Sequence, residues 1–171
     1  MENLDAWSIR IARIIAPDEV DLAPFITQAF VSGEDEQSSG GGLGGFGPVE
    51  MQMTFPVVVN TIAVTGTLLS GILSSPAAAN FLAAINTLLK VNESIEREKK
   101  VKELPDHPYG ALKQVLEDFS GGLKATGLSQ AQRDLMTYKF LQTLLEDPKA
   151  SHEIVQFLQA SAQKNKKKGK R

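Results

Sequence analysis

The most apolar stretch of the chain, residues 55–74, reads FPVVVNTIAVTGTLLSGILS. It lies within 39 consecutive residues, 51–89, that carry no charged side chain, although 22% of the whole chain is charged. A helix that is apolar on all sides is either buried in a protein core or inserted in a membrane. A bilayer crossing requires about 20 such residues. The segment therefore predicts one apolar helix in one of these two environments.

Small side chains recur along this segment at steps of four residues, which places them in two neighbouring rows on a helix. Such rows let two helix backbones approach closely, and they drive helix association in lipid. In a soluble protein the same rows mark a close helix–helix contact. We predict that they form the packing face of the segment. One row holds Ala63, Thr67 and Gly71, and the other holds Gly66, Ser70 and Ser74.

A second apolar helix is expected at residues 77–89, after an interruption at Ser75 and Pro76. Its 13 residues are too few to span a bilayer, which leaves a buried, interfacial or re-entrant helix. It leads into ESIEREKKVKE at residues 93–103, whose charge predicts a solvated helix. Residues 51–103 are thus expected to form an apolar helical pair with a charged extension.

The regions before the apolar pair predict a helical hairpin at residues 1–32 and a flexible glycine-rich linker at residues 33–50. Within the linker, GLGGFG at residues 42–47 matches the dinucleotide fingerprint GxGxxG. That fingerprint needs a preceding buried strand and an acid about 20 residues later. Polar residues precede the match and the uncharged stretch follows it, so the match reflects glycine content alone.

After the apolar pair, residues 104–162 predict a module of three helices. Ser129 with Gln132 three residues later predicts a capping box at the start of the second of these helices. Residues 163–171 predict a basic, disordered tail. Together the patterns predict an all-α fold made of a helical hairpin, a glycine-rich linker, an apolar helix pair and a C-terminal three-helix module.

The charges are unevenly distributed along the chain. Residues 1–50 carry a net charge of −7, and residues 51–171 carry +5. The basic tail is interpreted as a solubilising segment, as a contact for anionic lipid headgroups, or as a nucleic-acid contact. Nucleic acid is disfavoured because no aromatic residues are interleaved and no recognition motif is present. A contact with an anionic surface would use Lys164, Lys166, Lys167, Lys168, Lys170 and Arg171.

Residues that could carry chemistry are sparse. The absence of cysteine excludes disulfides, thiolate metal sites and cysteine nucleophiles. The two histidines, His107 and His152, are far apart in the sequence and give poor support for a metal site. No nucleophile-elbow spacing is present. We therefore expect no catalytic, cofactor-binding or metal-binding residues, and we do not expect an enzyme.

The leading functional hypothesis is a non-enzymatic, membrane-associating helical protein, such as a small effector or channel-like protein, whose apolar segment inserts or self-associates. The alternative is a soluble helical adaptor or scaffold with residues 55–89 as its buried core. Both hypotheses expect a protein partner or self-association, and the first adds an anionic membrane. No small-molecule substrate is identified. The N-terminus lacks the features of a signal peptide, which predicts a cytoplasmic location, at the inner face of a membrane if one is bound.

Overall fold

The structure, a computed structural model, describes residues 3–33 and 54–169. The predicted linker lies outside the described residues except for Gly33, and so do Lys170 and Arg171 at the end of the tail. The described part contains helices and no strand, which confirms the all-α prediction. The helices are α1 Leu4–Ile15, α2 Ala23–Ser32, α3 Thr54–Val64, α4 Gly66–Leu73, α5 Ala78–Leu89, α6 Ser94–Glu103, α7 Asp106–Gly122, α8 Gln130–Glu146 and α9 Pro148–Gly169, with short 3-10 turns at Pro17–Glu19 and Leu123–Thr126.

Helices α1 and α2 pack against each other through a buried polar contact as well as through apolar side chains. The Ser8 hydroxyl donates to Thr27 Oγ1 at 2.8 Å, and the Thr27 hydroxyl donates to the carbonyl of Ala23. Both hydroxyls are therefore satisfied inside the core. Helix α2 ends at Gly33, whose φ of 83° is a left-handed conformation that glycine adopts without strain.

Helix α3 receives its N-terminal cap from a residue much earlier in the chain. The two carboxylate oxygens of Glu19 accept hydrogen bonds from the backbone amides of Thr54 and Phe55, each at 2.6 Å. These amides belong to the first helical turn, which has no acceptor within the helix. The negative carboxylate also lies at the positive end of the helix dipole. The cap thus attaches the start of α3 to the N-terminal helices.

A bend of 73° separates α3 from α4, so the prediction of one helix across residues 55–74 is wrong. The hydroxyls of Thr61 and Thr65 each donate, at 2.7 Å, to the carbonyl four residues earlier. Threonine hydroxyls bonded in this way often bend helices. Gly66 follows directly and has a low helix propensity. These neighbouring features explain why the helix breaks at Thr65.

One hydrophobic cluster contains residues from α1 to α5 and from α7 to α9. The predicted segments 1–32, 51–103 and 104–162 therefore share a core. Within it Phe119 of α7 stacks on Phe140 of α8, with ring centroids 4.7 Å apart. The end of α7 lies close to α3 at Gly122. A Cβ at this position would lie 2.6 Å from Thr61 Cγ2, so the absence of a side chain allows the contact.

Helix α9 packs along α2, α3 and α4 and continues to Gly169, although the sequence predicted a disordered tail from residue 163. The reason is a contact with the end of α2. Asn165 is buried, and its side-chain amide donates to the carbonyl of Phe30 at 2.9 Å and to that of Val31 at 3.4 Å. Lysines in the last turn of α9 also interact favourably with its C-terminal dipole.

The remote cap predicts a measurable contribution to stability. We expect Glu19→Ala to lower the free energy of unfolding by about 1 kcal/mol, because two first-turn amides lose their acceptor. Urea denaturation followed by circular dichroism measures this change. The matched control is Asp18→Ala, which removes an exposed carboxylate of the same turn and should change stability by less than about 0.5 kcal/mol. Equal losses in the two variants would show that the cap contributes nothing specific.

Candidate functional site

The first predicted row of small residues is divided by the bend. Ala63 is buried in α3, whereas Thr67 and Gly71 are exposed on α4. The Thr67 hydroxyl accepts a hydrogen bond from Gln159 Nε2 of α9 at 2.7 Å, and no atom lies near the Cβ position of Gly71. The row therefore does not form one continuous packing face in this fold.

The second row begins at a close helix contact and ends in solvent. A Cβ at Gly66 would lie 3.0–3.1 Å from three side-chain atoms of Gln159, so glycine allows α9 to approach α4. The Ser70 hydroxyl is buried and has no hydrogen-bond partner among the described residues. Ser74 is exposed, and its hydroxyl donates to the carbonyl of Ser70. Within the fold, Gly66 of this row serves the packing of α4 on α9, and a role of the row in lipid stays a prediction.

Helices α3 and α4, which replace the first helix of the predicted apolar pair, have the composition of a membrane span without its shape. In the described ranges no single helix combines the length and the apolar content for a crossing. Helices α3 and α4 pass by length and composition only when they are taken together across their bend. Their inward side chains lie in the protein core, including Phe55, Val58, Val59, Ile62, Leu69 and Ile72, all fully buried.

A cleft of about 670 Å³ opens between the α3–α4 bend, the end of α7 and the start of α8, and we call it the bend cleft. Its apolar wall comes from the bend, where Val64 is 71% exposed and Leu68 is partly buried. Its polar wall comes from α7, the following 3-10 turn and α8. That wall presents Glu117, Asp118, Asp134, Lys124, Gln130 and Arg133.

The charged groups of the bend cleft differ in how they are bonded. Asp134 Oδ1 accepts from the Ser120 hydroxyl at 2.7 Å, and Asp118 Oδ1 accepts from Gln114 Nε2 at 2.8 Å. Arg133 is partly buried, and its Nε is completely buried without a hydrogen-bond partner in the described part of the chain. The cleft thus contains two aspartates that already accept hydrogen bonds. It also contains an arginine whose Nε has no acceptor among the described residues.

A second cleft, of about 460 Å³, shares Glu117, Gln130 and Asp134 with the bend cleft and is also lined by Tyr138. Burial, with a further contribution from the Asp134 carboxylate, raises the pKa of Tyr138 to about 12, and the Arg97 guanidinium acts in the opposite direction. Arg97 is the buried residue of α6, and its Nε has no partner among the described residues. The sequence placed Arg97 in a solvated helix. Val101, four residues later and partly buried, was the available signal that this face packs inward.

The remaining residues singled out from the sequence lie away from the bend cleft. The lysines of the tail that the structure describes, Lys164, Lys166, Lys167 and Lys168, are exposed on the last turns of α9. His107 is exposed near the start of α7, and His152 is partly buried in α9. In residues 3–33 and 54–169, no group of three or more side chains is arranged as a metal site.

Comparison of the chain with protein-family models, with curated proteins and with solved structures finds no match.

The raised pKa of Tyr138 predicts how stability depends on alkaline pH. Unfolded tyrosine titrates near pH 10, so the unfolded state loses this proton before the folded state does. The stabilisation that the neutral Tyr138 hydroxyl gives the folded state is present below about pH 10. It is lost as the pH rises towards about 12. We expect ultraviolet absorbance to show a tyrosine that ionises near pH 12, and Tyr138→Phe to remove it. Tyr109→Phe is the control, and persistence of the late ionisation in Tyr138→Phe would contradict the assignment.

Proposed function

We propose that the protein is a non-enzymatic helical adaptor, in which α3 and α4 form the structural centre and outer helix faces bind a protein partner. The observation that carries the proposal is the complete burial of the inward side of α3 and α4. Helices α1, α2, α7 and α9 contact this pair. The run of 39 residues without a charged side chain then has an explanation that requires no bilayer.

The size of the buried surface favours this role over insertion. Each fully buried large apolar side chain stabilises a fold by about 1.5–3 kcal/mol. A bilayer would bury Phe55, Ile62, Leu69 and Ile72 again, but the apolar faces of α1, α2, α7 and α9 that pack on α3 and α4 would lose their cover, and a domain has only about 5–15 kcal/mol of stability in total. Insertion of the pair would require nearly complete unfolding of the core.

A partner-binding surface is best supported on α2. Phe25 is 73% exposed, and Leu22, three residues earlier, is 45% exposed. Residues at this spacing lie on the same face of a helix. Exposed aromatic side chains are frequent anchors of protein interfaces. The buried half of α2 is held by α1 and α9, so the exposed half is presented on a fixed support.

The adaptor proposal predicts that contact with a partner depends on Phe25. A photoreactive phenylalanine analogue at position 25 should form a discrete adduct in cells, and the same analogue at Lys149, an exposed position of α9, should not. Excess wild-type protein should compete for the adduct, whereas excess Phe25→Asp should not. Equal competition by the two proteins would overturn the role of this face.

Membrane association is the second candidate, because one specific feature favours it. Only Thr65 separates α3 from α4, and residues 54–73 as one straight helix would be about 30 Å long. That length equals the thickness of the hydrocarbon core. The exposed lysines at the end of α9 could add attraction to an anionic surface. Insertion would then proceed by straightening the bend and releasing α1, α2, α7 and α9 from the two helices.

The bend angle distinguishes the two candidates directly. The chain has no cysteine, so Thr54→Cys and Ser74→Cys can carry spin labels without background. Addition of phosphatidylglycerol vesicles should lengthen the label distance to about 30 Å if the pair straightens. The adaptor expects the shorter, bent distance to persist. Labels at Gln130 and Glu146, at the two ends of α8, are the control and should not change.

A further inference from the structure

The bend cleft is lined by charged side chains of both signs, and some of them have no partner among the described residues. Arg133 Nε is buried and has no acceptor in the part of the chain that the structure describes. Across residues 3–33 and 54–169, no ion pair or side-chain hydrogen bond engages the charged groups of Arg133, Lys124 or Glu117. A buried donor of a charged group is expensive to leave unbonded. The terminal nitrogens of Arg133 are not among its buried atoms, and Lys124 and Glu117 are exposed, so these groups can be reached by a ligand in the cleft.

The chemistry of the wall restricts what fits there. A guanidinium is suited to a carboxylate, which it binds through two parallel hydrogen bonds. A simple anion would meet the repulsion of Glu117, Asp118 and Asp134. A simple cation would leave Arg133 without its acceptor. A ligand that carries a carboxylate and an ammonium group satisfies both sets of charges.

The apolar wall supplies the third recognition element. Val64 and Leu68 line the cleft, and Val64 is exposed although it belongs to the most apolar segment of the chain. An aliphatic group placed on these residues would remove their surface from water. The volume of about 670 Å³ falls within the range of about 300–1,000 Å³ typical of small-ligand sites.

We propose that the bend cleft binds a small zwitterion with an aliphatic side chain, namely a free amino acid or a short peptide. Arg133 and Lys124 bind its carboxylate, Glu117 binds its ammonium group, and Val64 and Leu68 contact its side chain. This site is independent of the partner-binding face on α2. It gives the helical protein a small-molecule ligand in addition to a protein partner.

The test compares probes that share one aliphatic group and differ in charge. L-Leucine carries both charges, isocaproate lacks the ammonium group, and isoamylamine lacks the carboxylate. Titration of the ¹⁵N-labelled protein, followed by NMR, should show that L-leucine binds at least about tenfold more tightly than either single-charge probe, the ratio that corresponds to one lost polar contact. The dipeptide glycyl-L-leucine, measured beside L-leucine, identifies which source of the zwitterion fits better.

The variants assign each charge to its partner. Arg133→Gln should abolish the preference for L-leucine over isoamylamine, and Glu117→Gln should abolish the preference over isocaproate. Arg13→Gln and Glu146→Gln are exposed controls outside the cleft and should bind L-leucine like the wild type. Equal affinity for the three leucine-derived probes, binding that survives both cleft variants, or no shift with any probe would overturn the proposal. Because the α2 face is not involved, such a failure would leave the adaptor proposal intact.

Discussion

The packing of α9 over the bent α3–α4 pair is the contact on which the rest of the structure depends. Gly66 lets the two backbones approach, Gln159 bonds to Thr67 at the same place, and Asn165 connects the far end of α9 to α2. Because α3 also contacts α1 and α7, this packing joins the first and last helices around one apolar centre. The packing lies next to the bend at Gly66, and the bend forms one wall of the cleft.

The apolar segment illustrates a limit of composition as a guide to environment. Hydropathy measures how strongly residues 55–74 avoid water, and a protein core and a bilayer satisfy that tendency equally well. What separates the alternatives is shape, because a span needs a straight helix while a core accepts two short ones. Here the hydroxyls of Thr61 and Thr65 lie within the helix and favour the bend. The side chains that would face lipid in a span instead pack against several neighbouring helices.

Features encoded in neighbouring residues could be predicted from the sequence. Helical periodicity gives the all-α class, and the capping box at Ser129 and Gln132 is present as expected. Features that depend on distant residues could not be predicted. Nothing near Glu19 in the sequence indicates that it caps a helix that starts at Thr54. The continuation of α9 past residue 163 likewise depends on a carbonyl of α2, more than a hundred residues earlier.

The bend cleft escaped prediction for the same reason. Its walls come from Val64, Glu117 and Arg133, which lie on three helices, and their proximity arises only from the packing of those helices. In the sequence each of them resembles an ordinary apolar or solvated position. Arg97 is a stronger case, because it is buried within the most highly charged helix while Ile95 of the same helix is 76% exposed. A helix this polar has no full apolar stripe, and Val101 alone marks its inward face.

The position of α9 has a consequence for how the protein is made. Gln159 follows its partner Thr67 by 92 residues, so the ribosome completes α3 and α4 long before their cover exists. At ordinary synthesis rates this interval lasts on the order of 5–20 s, during which apolar side chains of a nascent chain are exposed to aggregation and to chaperones. Contacts so distant in sequence also slow folding after release. The speed of translation through residues 74–158 therefore sets how long the most apolar part of this chain stays uncovered in the cell.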